Sequence, residues 1–147
     1  MEQEKSYHWI SMEQTQYLLD TNIIVFLFRG DTNICQKLNS VGKENCFISE
    51  VTVAELQYGI ECSTQKEYNA RILQDFLQDT NIIPFKDAIN CFASEKARLK
   101  KVGQKIDDFD LLIGCTAKQN NLTVVTDNIK HFQRIDGIHI ENWVQRL

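Results

Sequence analysis

The 147-residue sequence contains little proline and no closely paired cysteines. A single proline and six glycines exclude a collagen-like or low-complexity chain. The five cysteines are odd in number and include no Cys-x-x-Cys, so they indicate neither a disulfide framework nor a zinc site. We therefore expect reduced thiols, most of them buried.

Long apolar segments are absent as well. The longest, residues 23–28, is far shorter than the roughly 18–20 residues that cross a bilayer. The polar N-terminus, MEQEKSYHWISMEQTQ, has no apolar stretch of signal-peptide length. The sequence thus predicts a cytoplasmic protein without a membrane partner.

What the sequence does contain is an alternation of short apolar runs and amphipathic segments. The strand-like runs are residues 17–19, 46–48, 82–83, 122–125 and 138–140. Helical spacing appears in residues 21–28, 49–60, 65–78, 85–102 and 107–119. This order predicts an α/β fold with a mainly parallel central sheet of about five strands, flanked by helices on both faces.

Several polar residues directly follow the predicted strands. In open α/β sheets, ligands bind beyond the carboxyl ends of the strands. Asp20 follows the first strand, and residues 126–128 follow the strand that ends at position 125. Glu55 and Asp110 each lie one turn into a helix, from which both can reach the same rim. We predict that Asp20, Glu55 and Asp110 converge there.

Converging carboxylates require a cation. Two like charges ~5 Å apart repel by roughly 3 kcal/mol at an effective dielectric constant near 20. Oxygen ligands without histidine or cysteine favour the hard ions Mg²⁺ and Mn²⁺ over zinc. Such ions also bind substrate phosphates, so the pattern favours phosphodiester hydrolysis.

Each acidic residue also has a purely structural explanation. Asp20 is placed to cap the helix that follows it. The Thr52-x-x-Glu55 spacing is that of a capping box. The acids at positions 107, 108 and 110 would complement the dipole of their helix. The residues alone leave these alternatives open.

One cluster of positive charge stands out against a net charge of −4, which itself argues against indiscriminate nucleic-acid binding. Five basic residues occur between positions 96 and 105 without an intervening acid: Lys96, Arg98, Lys100, Lys101 and Lys105. They predict a strip that contacts RNA phosphates, and the alternative is a solvated helix face.

Taken together, several segments resemble the motifs of PIN-domain nucleases in their usual order. They are YLLDTNIIVFL, SEVTVAELQYGI, IDDFDLLIGCTAKQNNLTVVTDN and the tail HFQRIDGIHIENW. The resemblance covers residues 17–143. More narrowly, the sequence is similar to the VapC-type toxins of bacterial toxin–antitoxin pairs.

The resemblance implies roles for individual residues. Asp20, Glu55 and Asp110 would be the catalytic metal ligands, with Thr21 and Asn22 supporting the first. Thr126 would supply a hydroxyl, and Asn128 stands where the family has its fourth acid. Asp127 is one residue off that register. Asp107 and Asp108 are candidates for holding an outer-shell water.

The resemblance also implies an activity and partners. The protein would be a Mg²⁺- or Mn²⁺-dependent endoribonuclease, a homodimer, and the toxin that pairs with a VapB-like antitoxin. The alternatives are a PIN nuclease of RNA processing and a PIN domain that binds without catalysis. An aspartate-nucleophile phosphatase is disfavoured, because Asn22 stands where that class has its second acid.

The resemblance places residues 17–147 in a PIN-like nuclease domain and residues 1–16 in an N-terminal extension. That extension is longer than VapC-type toxins usually carry. Residues 12–14 repeat residues 1–3, Met-Glu-Gln, which makes Met12 a candidate start. The opposing hypothesis is that Tyr7, Trp9 and Ile10 pack on the domain or at a dimer seam.

Overall fold

The structure, a computed structural model, describes residues 14–146. The predictions for Met12 and for the apolar residues at positions 7–10 lie outside the described residues. A five-stranded sheet in the order β3-β2-β1-β4-β5 forms the centre, and every neighbouring pair of strands is parallel. Its strands are β1 (Tyr17–Leu19), β2 (Cys46–Ser49), β3 (Asn81–Ile83), β4 (Thr123–Val125) and β5 (Ile140–Glu141).

Seven α-helices connect and follow these strands in the described part of the chain. They are α1 (Thr21–Phe28), α2 (Thr32–Val41), α3 (Glu50–Glu61), α4 (Lys66–Gln78), α5 (Ile89–Lys101), α6 (Asp108–Gln119) and α7 (Ile129–Phe132). Short 3₁₀ turns at Lys43–Asn45 and Lys86–Ala88 precede β2 and α5. Among residues 14–146, no helix has the length and apolar character needed to cross a bilayer.

The two faces of the sheet are covered by different helices, because successive strand residues point to opposite sides. Tyr17 and Leu19 belong to one hydrophobic core, with buried residues of α1 through α4. Leu18 belongs to the other core, with Leu99 of α5 and several residues of α6. The predicted α/β fold with helices on both faces is confirmed.

The chain order reverses between β1 and β4, the two central neighbours in the sheet. The strands on one side of this point precede α5, and those on the other side follow α6. The backbone N–H of Asp20 donates to the carbonyl of Val125 at 2.9 Å, which holds the ends of β1 and β4 together. A crevice at such a switch point is where open α/β sheets bind ligands.

Two helices were missed in the sequence. Helix α2 has signals that identify it: Asp31 caps it by accepting from the N–H of Ile34, and Ile34, Leu38 and Val41 share one side. Helix α7 has only four residues, too few for a period to show. The last strand lies at Ile140–Glu141, two residues later than predicted at its start, because apolar content rather than pairing set the predicted range.

The prediction that most thiols are buried is wrong. Cys46 and Cys115 are buried, Cys91 is partly buried, and Cys35 and Cys62 are exposed. All five are free, as expected. The exposed pair lies on α2 and just after α3, so hydropathy alone misjudged two positions on the solvent side of helices.

Candidate functional site

Asp20 lies at the carboxyl end of β1 and is only 3% exposed. Its Oδ1 accepts from the backbone N–H of Thr21 at 2.8 Å, and its Oδ2 accepts from the hydroxyl of Thr126 at 2.8 Å. The predicted capping of α1 is therefore confirmed. The same contacts fix the carboxylate beside the end of β4, at the switch point of the sheet.

Glu55 lies in the second turn of α3 and approaches α1. The hydroxyl of Thr21 donates to Glu55 Oε1 at 2.7 Å and lies 3.0 Å from the hydroxyl of Thr52. The capping-box interpretation is wrong, because α3 begins one residue after Ser49, whose hydroxyl accepts from the N–H of Val51. Thr52 and Glu55 thus lie within α3 and do not cap it, and the side chains of both contact Thr21 just after the end of β1.

Asp110 lies in the first turn of α6, which Asp107 caps. Burial, and after it the charges of Asp20, Asp107 and Glu55, together raise the pKa of Asp110 to about 7. The nearby amide of Asn128 lowers this pKa, in the opposite direction. The helix dipole alone would stabilise this carboxylate, so its environment is dominated by desolvation and by neighbouring acids.

The same repulsion acts on Asp20. Burial raises the pKa of Asp20 to about 6 against the effect of its two hydrogen bonds, and the charge of Glu55 adds to the rise. None of the ion pairs among residues 14–146 includes Asp20, Glu55 or Asp110. The structure thus brings together the three predicted carboxylates without a lysine or arginine to balance them.

As placed, these side chains are neighbours rather than a finished ligand set. Within residues 14–146, no three Asp, Glu, His or Cys side chains are close enough to hold one ion. Glu55 is turned onto the hydroxyl of Thr21, as expected when like charges separate. The donor chemistry nevertheless fits a hard cation: every candidate atom is an oxygen, and the excess negative charge is unbalanced. Asp20, Glu55 and Asp110 are the residues that would hold Mg²⁺ or Mn²⁺.

The other predicted residues fall into two groups. Thr21, Thr126 and Asn128 contact the carboxylates, and the N–H of Asn128 also donates to the Thr126 hydroxyl at 2.9 Å. Asn22 is exposed on α1 and Asp107 caps α6, whereas Asp108 pairs with Lys96 at 2.9 Å and Asp127 accepts from Arg146 at 2.7 Å. Arg146 holds the pKa of Asp127 below its usual value. The first group surrounds the acids, and the second has other partners or faces solvent.

The sequence profile of the PIN domain matches residues 17–138. The chain belongs to the PIN-domain family. Ribonuclease VapC2 of Haemophilus influenzae is 36% identical over 132 residues, which cover 88% of this chain and 98% of that protein. Ribonuclease VapC2 of Rickettsia felis is 38% identical over 130 residues, covering 86% and 97%. The crystal structure of DNA-bound VapBC from Salmonella typhimurium matches with a TM-score of 0.83 and 30% identity, covering 88% of this chain and 99% of that one.

The basic strip of this PIN domain is divided by the fold. Arg98 donates to both carboxylate oxygens of the buried Glu95, at 3.0 and 2.8 Å, and to the carbonyl of Arg134. Lys96 is held by Asp108. The remaining three residues, Lys100, Lys101 and Lys105, are exposed. Two of the five basic residues, Lys96 and Arg98, are therefore held in ion pairs within the fold, and the other three face solvent.

One residue of the PIN-domain site was misassigned from the sequence. Thr52 is fully buried, and its hydroxyl lies beside the Thr21 hydroxyl that holds Glu55. Because Thr21 has one hydroxyl hydrogen and donates it to Glu55, Thr52 donates to Thr21. The signal that would have identified this role is Ser49, a better N-cap three residues upstream.

Proposed function

We propose that this chain is a Mg²⁺- or Mn²⁺-dependent endoribonuclease and the toxin of a type II toxin–antitoxin pair. The observation that carries the proposal is that the charges of Asp20 and Glu55 raise the pKa of Asp110, while no lysine or arginine among residues 14–146 pairs with any of the three. The VapC ribonucleases to which the chain is related support the RNA substrate. The proposed nuclease domain spans residues 17–147, with residues 1–16 as an extension.

The chain's own residues would orient the reaction. Asp20 is immobilised by Thr126 and by the first N–H of α1, so one carboxylate has a fixed position. Asp110 and Glu55 approach from two other helices, and the hydroxyl of Thr21 holds Glu55. A divalent cation held here would stabilise the negative charge that develops on the phosphate oxygens during attack by water.

The partners follow from the relatives. The Salmonella neighbour is a VapBC complex, and so are the Rickettsia and Haemophilus neighbours. We propose that this chain likewise binds a VapB-like antitoxin, forms a homodimer and acts on RNA in the cytoplasm. Shielding of the acidic crevice by a bound protein would keep the nuclease inactive until release.

The metal requirement is tested by cleavage of cellular RNA after removal of divalent ions. We expect no cleavage with EDTA and recovery on addition of Mg²⁺ or Mn²⁺, because uncompensated carboxylates repel the phosphate. Asp110→Asn should lower the recovered rate by roughly 10²–10³-fold, since a cation supplies several kcal/mol of charge stabilisation.

The matched control is Asp127→Asn, which removes a carboxylate that pairs with Arg146 at the same end of β4. We expect it to cleave RNA within a few-fold of the parent protein. Equal losses for both variants would show that general acidity rather than this cluster matters. RNA binding without cleavage in any metal would identify a non-catalytic PIN module instead.

Metal binding should also stabilise the fold in a pH-dependent manner. Because the pKa values of Asp20 and Asp110 are raised to about 6 and about 7, the metal-free folded state holds protons that the unfolded chain has released. These protonated carboxyl groups stabilise the metal-free folded state at low pH, and their contribution to the free energy of unfolding is lost as pH rises through about 4 to 7. A cation replaces those protons, so Mn²⁺ should raise Tm more at about pH 8 than at about pH 5.

Differential scanning calorimetry with and without Mn²⁺ at the two pH values measures this difference. Titrating groups elsewhere contribute equally to both scans at one pH and cancel. The same Tm gain at both pH values would contradict metal binding by these carboxylates.

A further inference from the structure

A second concave surface lies beside the acidic crevice, between the end of α5 and the start of α6. We name it the α5–α6 cleft and define it by its apolar floor, which exposes the half-buried Ile106 and is backed by the buried Leu99 and Leu111, and by its basic rim, Lys96, Lys100 and Lys105. Its volume is about 470 Å³. This is within the range of pockets that hold small organic molecules, roughly 300–1,000 Å³.

The rim of the cleft carries uncompensated positive charge. Lys96 is neutralised by Asp108 at 2.9 Å, and its ammonium group lies 5.6 Å from the ring centroid of Phe92. Lys100 and Lys105 take part in none of the ion pairs between residues 14 and 146. Lys100, in the last turn of α5, also complements the helix dipole. Lys105 lies beyond the end of α5, so the helix dipole does not explain the presence of a positive charge at this position.

The cleft and the proposed nuclease site lie on two sides of the first turn of α6. Asp108 lines the cleft, and Asp110, two residues later, belongs to the acidic cluster. Residues two apart on a helix point to nearly opposite sides, about 200° apart, so the helix end separates the two sites by roughly 10 Å. A single strand that crosses this helix end would contact both.

We propose that the α5–α6 cleft is a nucleotide subsite for the RNA substrate. A base would pack on the apolar floor, and the phosphates on either side of it would be held by Lys100 and Lys105. The ammonium groups are suited to the phosphates of a single strand, and the apolar floor offers a surface from which a base can exclude water. The inference rests on the proposed nuclease function, because RNA is the substrate whose phosphates would reach the neighbouring acidic cluster.

The test compares Lys100→Ala/Lys105→Ala with Lys43→Ala/Lys66→Ala, each combined with Asp20→Asn to prevent cleavage. Lys43 lies just before the amino end of β2, and Lys66 begins α4 after α3 has run back from the carboxyl end of β2, so both lie toward the opposite end of the strands from the proposed site. Affinity for a labelled single-stranded oligoribonucleotide is measured over a series of salt concentrations. Circular dichroism melting verifies that each variant is folded.

The cleft variant should bind RNA about tenfold more weakly at low salt, and its slope of log K against log salt should fall by about 1.4, as for two lost phosphate contacts to a single strand. The control should retain the parent affinity and slope. An oligonucleotide series with one abasic position should show a loss at one position in the parent that disappears in the cleft variant.

Cleavage separates this inference from the proposed function. With Asp20 present, the cleft variant should raise KM for RNA and keep kcat, because the subsite binds substrate away from the reacting phosphate. If the parent cleaves RNA and the cleft variant has unchanged affinity and KM, the subsite is refuted while the nuclease stands. If a glutamate-rich peptide, and not RNA, loses affinity in the variant, the occupant is an acidic protein segment and the proposal is overturned.

Discussion

Asp20→Asn should reduce RNA cleavage by roughly 10³-fold or more and leave the metal-free fold at least as stable as before. Asparagine has the same shape and its Oδ1 still accepts from the N–H of Thr21, while its amide NH₂ donates to the Thr126 hydroxyl in place of accepting from it, so the cap of α1 survives. The lost charge is one that burial and Glu55 already disfavour. Removal of this charge relieves repulsion on Asp110 and also removes a proposed metal ligand.

Three measurements verify this expectation. Single-turnover cleavage gives the loss of rate, titration calorimetry gives the loss of Mn²⁺ binding, and thermal melting in EDTA gives the stability. Loss of activity together with a large fall in Tm would mean that Asp20 acts mainly as a structural cap. Undiminished activity would assign the observed cleavage to a contaminating nuclease.

Phe132→Ala should lower the free energy of unfolding by about 3–5 kcal/mol. The Phe132 ring is fully buried and belongs to the core that covers one face of the sheet. Its truncation leaves a cavity that the packed surroundings fill only in part. At this chain length the change corresponds to a fall in Tm on the order of 10 °C.

Phe109→Ala is the matched control, because Phe109 is 49% exposed in the first turn of α6. We expect it to change the free energy of unfolding by about 0.5 kcal/mol, and therefore to change Tm only slightly. Phe132→Leu keeps most of the volume and should fall between the two. A loss for Phe109→Ala as large as that for Phe132→Ala would contradict the described packing of α7.

The architecture was predictable because the three inner strands, β2, β1 and β4, are short and mainly apolar runs, as expected where a sheet is buried on both faces. β1 and β4 are the clearest: their positions 17–19 and 123–125 were within the predicted runs. The edge strand β5 was not located as well. Its two residues are defined by pairing with β4, which a sequence pattern does not contain.

The acids were predictable because each follows a recognisable strand end or helix start. Their partners were not, because the hydrogen bond from Thr126 to Asp20 and that from Thr21 to Glu55 depend on how distant elements pack. The division of the basic strip has this origin in part. The ion pair of Arg98 with Glu95 lies within α5, but the hydrogen bond from Arg98 to the carbonyl of Arg134 forms only when α5 packs against the segment that follows α7.

The pairing of β1 with β4 has a consequence during protein synthesis. Asp20 emerges early from the ribosome, but Thr126, which fixes its carboxylate, follows 106 residues later. Contacts this far apart in sequence form late and slowly. An interrupted translation product therefore lacks Thr126 and the side of the crevice that β4 forms, so only a chain that extends through this strand can hold Asp20 in its described position.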